Sequence, residues 1–69
     1  MTRWIVECPD RPERKYEIQP DKSDAGFYLY VWQDGRCIKD HLQDSLQAAI
    51  DQAATDYGVR PELWQEVSD

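Results

Sequence analysis

The sequence predicts an α+β domain: a four-stranded antiparallel meander with one C-terminal amphipathic helix packed on one face. Three observations predict it. Residues 27–32 and 36–42 are strand-like runs on either side of Asp34-Gly35. Residues 46–57 carry an apolar stripe of helical period. Two shorter alternating runs, 3–8 and 15–19, precede them. Sequential strands on short connections prefer to be neighbours, and one helix covers only one face of a sheet.

In the first run Trp4, Val6 and Cys8 alternate with Arg3, Ile5 and Glu7, the period of a strand. Pro9 and Pro12 break it, because proline cannot donate to a ladder. Tyr16 and Ile18 mark one side of the second run, and residues 20–26 read as a loop.

Phe27-Tyr28-Leu29-Tyr30-Val31-Trp32 is dense in aromatic and β-branched residues, the preferred strand set. Asp-Gly after it signals a two-residue type I′ hairpin, which needs positive φ at both turn positions. A regular hairpin on that turn sets Trp32 against Cys37, Val31 against Ile38, Tyr30 against Lys39, Tyr28 against His41 and Phe27 against Leu42. Alternation then gives an aliphatic face of Phe27, Leu29, Val31, Ile38 and Leu42, interrupted by Asp40. The second face holds Tyr28, Tyr30, Trp32, Cys37, Lys39 and His41. The aliphatic face is the expected bed for the helix.

Leu46, Ala49, Ile50, Ala53, Ala54 and Tyr57 form the helical stripe. Asp44 and Gln47 have capping-box spacing, and Gly58 suits a left-handed C-terminal cap. Helix 45–57 is expected, with Leu46, Ile50, Phe27, Leu29, Val31 and Ile38 as the core. Pro61 suits a short helical turn, and Leu63 and Trp64 are too apolar for a free tail.

The chain has 69 residues, 41% hydrophobic and 32% charged, with eight aromatics. That is a globular composition for a single domain, 1–69, with a small core. No apolar run is long enough for a membrane helix, and charge arrives too early for a secretory leader, so a cytoplasmic location is expected. Cys8 and Cys37 are too few for a disulfide scaffold and read as half-buried small hydrophobes.

Net charge is −6. Residues 1–39 balance, so residues 40–69 carry all of it. Such a field disfavours phosphate backbones and favours basic partners. Asp44, Asp51, Asp56, Glu62 and Glu66 form a candidate acidic surface; solvation alone also accounts for them.

No constellation supports catalysis, a cofactor or a metal. Cys37 and His41, four residues apart on a strand, are separated by about 13 Å, too far for one ion. His41 has no Ser or Cys placed by local spacing as a partner, and the glycines are turn or cap residues. The expectation is therefore not an enzyme, and no cofactor.

Tyr28, Tyr30, Trp32 and His41 are the candidate partner-binding residues. Aromatics at i, i+2 and i+4 on an open sheet suit three uses: a small core under the tail, a protein-docking patch, or a stacking platform for bases. The functional expectation is a protein-binding or adaptor module, its partner a basic protein or a second copy. The alternatives are an immunity or inhibitor protein acting on a basic enzyme, and a nucleic-acid binder.

Tyr30-x-Trp32, Asp40-x-Leu42-x-x-Ser45-Leu46-x-x-Ala49, Gln52-Ala53, Tyr57-Gly58-Val59 and Trp64 also carry a resemblance. Over residues 26–66 the chain resembles a loose group of short, uncharacterised bacterial proteins. The resemblance implies a stand-alone domain and no particular functional residue.

Overall fold

The computed structural model describes residues 2–8, 11–21 and 26–68. Strands β1 (Thr2–Cys8), β2 (Arg11–Pro20), β3 (Phe27–Gln33) and β4 (Arg36–Gln43) run as an antiparallel meander. Helix α1 (Leu46–Tyr57) follows, then a 3-10 turn (Pro61–Leu63) and strand β5 (Gln65–Ser68). The class is α+β as expected, but the sheet has five strands in the order β4-β3-β2-β1-β5. The fifth comes from the tail, which turns back to pair with β1, Arg3 opposite Val67 and Ile5 opposite Gln65.

Asp34 and Gly35 take φ of 53° and 79°, the two left-handed residues of the hairpin turn. β2 begins earlier than its alternation suggests and includes Pro12. Pro9, Asp10 and the loop residues 22–25 lie outside the described residues. The N-cap of α1 is Ser45 rather than Asp44: its hydroxyl accepts from Ala48 N–H at 3.1 Å. At the other end Gly58 is left-handed, and the amides of Gly58 and Val59 close onto Ala54 and Ala53.

The decisive departure is in the β3–β4 register. Trp32 opposes Cys37 as expected, but Val31 opposes Lys39, leaving Ile38 as an extra residue. This β-bulge moves every later β4 side chain to the other face. Tyr30 now opposes Asp40, Leu29 opposes His41 and Tyr28 opposes Leu42. The expected aliphatic face is therefore corrected. Ile38 and Leu42 are 47% and 51% exposed and belong to no core.

Electrostatics explains the choice. In the regular register Asp40 would lie beneath the helix, and burying an unpaired carboxylate costs several kcal/mol. The bulge turns Asp40 to water and brings His41 under the helix, where its Nε2 meets Tyr57 Oη at 2.9 Å. Leaving two aliphatic side chains half-exposed costs about 1–2 kcal/mol in all.

The core is Val6, Tyr16, Ile18, Leu29 and Val31 under Ala49, Ala53 and Val59. Trp4, Phe27, Leu46, Ile50, Tyr57 and Trp64 surround it, half-buried. Phe27, Leu46 and Ile50 are thus marginal rather than central. The two buried alanines let α1 lie close on β3 and β4. No described helix is long and apolar enough to cross a membrane.

Candidate functional site

Strand alternation puts Tyr28, Tyr30 and Trp32 on the sheet face opposite the core, since Leu29 and Val31 are the buried members of β3. All three residues are partly exposed. The tail does not cover them. β5 lies at the far edge beyond β1, Trp64 packs against the core, and Leu63 is 46% exposed.

The face is ordered by cross-strand pairs. Tyr28 lies between Gln19 and Leu42, Tyr30 between Glu17 and Asp40, and Trp32 between Lys15 and Cys37. Directly opposed Cβ atoms are about 4.5–5.5 Å apart, so these neighbours touch or nearly so. The Tyr28 and Tyr30 rings stack at 5.7 Å and 20°. Lys15 Nζ sits 5.3 Å from the centre of the Trp32 ring, a cation–π contact. The indole N–H of Trp32 is shielded and has no hydrogen-bond partner among the described residues.

Glu17 is the least expected residue here. It is only 3% exposed, although it lies on the face without a helix. Arg3 Nη1 donates to its carboxylate at 3.1 Å and Gln19 Nε2 at 2.8 Å. Asp40 differs: it is exposed and has no hydrogen bond or ion pair among the described residues. The Tyr30 hydroxyl is pushed above its ordinary pKa, first by burial and then by Tyr28 and Asp40. Towards the β1–β5 end, Ile5, Glu7, Leu63, Gln65 and Val67 line a cavity of about 430 Å³.

His41 leaves this set. The bulge places it on the helix face, half-buried and bonded to Tyr57. Tyr57 in turn lies 5.5 Å from the Tyr16 ring, over which Arg14 sits at 5.8 Å. Leu42, read from sequence as helix-facing, takes the place of His41 opposite Tyr28. The signal that could have found this was Asp40 itself, a charge in an otherwise aliphatic row.

The acidic residues are distributed along α1 and the segments that flank it. Asp51 accepts from Gln47 at 2.9 Å and Asp56 from Gln52 at 3.3 Å, both along α1. Five positions apart on a helix, they point about 140° from one another. Glu62 pairs with Arg60 at 2.7 Å. A hydrogen bond from its own backbone N–H, and then Arg60, hold its carboxyl below the ordinary range. Asp44 and Glu66 are exposed.

Cys37 is a free, exposed thiol rather than a half-buried one, its Sγ 3.4 Å from the Lys39 carbonyl. The Cys8 side chain lies outside the described residues. Among the described residues no three His, Cys, Asp or Glu side chains are grouped to hold a metal. No family model matches the chain, and neither curated proteins nor solved structures give a significant match.

Proposed function

We propose that this chain is a small, non-enzymatic protein-binding module that docks its partner on the helix-free sheet face, in a cytoplasmic setting. One observation carries the reading: Tyr28, Tyr30 and Trp32 stand partly exposed in a row that the tail leaves open. Exposed Leu42 extends the row to the sheet edge. Tyrosine and tryptophan are favoured interface anchors, and each ring can bury 150–250 Å².

The edges themselves are poor docking sites. β4 carries a bulge and three charges, and β5 has only four residues, the features that discourage strand addition. Base stacking on the same rings would need free cations around them. Arg3 is paired with Glu17 and Lys15 lies on Trp32, so that reading has less support. An inhibitor acting through the acidic surface is supported by the net charge of −6 alone, since those carboxylates are dispersed.

Capture of partners from the native host by wild type and by Tyr30→Ala tests the proposal, with Thr55→Ala on the exposed side of α1 as a control. Loss of the captured protein with Tyr30→Ala alone is expected. Equal capture by all three would refute the assignment of the face.

A further inference from the structure

We propose that the Tyr28–Tyr30 stack and Asp40 together form a seat for an arginine side chain, so that the partner is a protein presenting arginine from a basic segment. The inference rests on the reading of this face as the docking surface.

Three features converge on one row of the sheet. A two-ring stack has two outer faces, and both tyrosines are partly exposed. Asp40 stands directly opposite Tyr30 on the edge strand, with its carboxylate in water and no cation beside it among the described residues. The neighbouring cations are committed or turned away. Arg3 holds Glu17, Lys15 lies over Trp32, and Lys39 opposes Val31 on the helix face.

The face already shows the chemistry it would offer a partner, since Lys15 is a cation resting on one of its rings. A guanidinium fits the Tyr28–Tyr30 part of the row beside Asp40 better than an ammonium. It is planar and weakly hydrated, stacks on an aromatic face, and presents two parallel N–H groups to a carboxylate. Burial first, and then Tyr28 and Asp40, push the Tyr30 hydroxyl above its ordinary pKa. The net charge of −6 draws basic segments towards the chain and repels phosphate.

The test uses the full chain and two synthetic nonapeptides of alternating serine and either arginine or lysine, with an oligothymidylate as a third probe. Amide chemical-shift mapping locates each probe and calorimetry measures it. The arginine peptide should shift Tyr28, Tyr30, Asp40 and Leu42 and bind several-fold more tightly than the lysine peptide. Asp40→Asn and Tyr30→Ala should each weaken it about five-fold, while Tyr30→Phe retains it. Asp40→Asn changes one exposed atom, so its result does not depend on folding.

Equal binding of both peptides with no effect of Asp40→Asn would overturn the proposal, as would shifts confined to α1. Preferential binding of the oligothymidylate to the rings, or sedimentation showing a dimer that buries them, would overturn it too. If the host partner is lost with Tyr30→Ala but kept with Asp40→Asn, the arginine seat fails while the docking face stands. If neither variant affects capture, both fail.

Discussion

Two leucines, Leu29 and Leu42, test the bulge that organises this protein. Leu29 is 0% exposed at the centre of the sheet, beneath the helix and beside Ile18 and His41. Leu42 is 51% exposed on the opposite face. Leu29→Ala removes fully buried methyl groups and leaves a hole in a small core, so it should cost about 3 kcal/mol. Leu42→Ala gives up about half of a transfer term of roughly 2 kcal/mol, and should cost about 1 kcal/mol or less. A chain of this length has a total stability of only about 3–10 kcal/mol, so the two effects separate clearly. Urea unfolding followed by tryptophan fluorescence and far-ultraviolet circular dichroism gives both values. If Leu29→Ala does not fold, Leu29→Val, at about 1 kcal/mol, keeps the comparison measurable. In the regular hairpin register Leu42 would face the helix and be part of the core. Equal costs for Leu29→Ala and Leu42→Ala would therefore refute the bulged register and everything placed by it.

The ion pair on the docking face should be asymmetric. Arg3→Gln leaves the buried Glu17 carboxylate without its cation and should cost about 2 kcal/mol or more, whereas Glu17→Gln leaves a half-exposed arginine that water can solvate and should cost about 1 kcal/mol; the same urea titration checks the order. At alkaline pH the sign follows from Tyr30 and Tyr57, whose hydroxyls burial pushes above the ordinary value. Their folded-state protons are held more tightly than those of the unfolded chain. Stability is thus full below about pH 10 and falls as pH rises through the folded-state values. Ultraviolet titration of Tyr30→Phe and Tyr57→Phe should each remove one late-titrating phenol.

Much of this architecture could be read in the residues. Asp34-Gly35 names its own turn, and the Leu46–Tyr57 stripe with Gly58 behind it specifies the helix and its end. These signals are local, because each rests on backbone preferences within a few residues. The bulge is not local. It balances Asp40 against Ile38 and Leu42, and the balance exists only once α1 lies on the sheet. β5 is not legible for the same reason: Gln65-Glu66-Val67-Ser68 is short and polar, and only β1 makes it a strand. The candidate face was half legible. Alternation predicts the aromatic row, but its edge neighbours Asp40 and Leu42 depend on the bulge, which also carries His41 to the helix side. Ser45 displaced Asp44 as the cap because the two are adjacent and the one-residue choice depends on where the chain leaves β4.

The pairing of β1 with β5 ties Thr2 to Ser68, so the sheet closes through contacts of very high contact order. The meander and helix can assemble from neighbouring segments, whereas β5 must recover the entropy of closing nearly the whole chain with four residues on a single partner. It is therefore the strand with the least to hold it. When it lifts away, it uncovers the backbone edge of β1 and dismantles the wall of the cavity formed by Leu63, Gln65 and Val67. The aromatic row, three strands distant, keeps all its cross-strand neighbours through that event. Fraying at that margin reaches the docking face through Arg3, which lies opposite Val67 and holds Glu17, while the aromatic row draws its rigidity from the part of the sheet that forms from sequence neighbours.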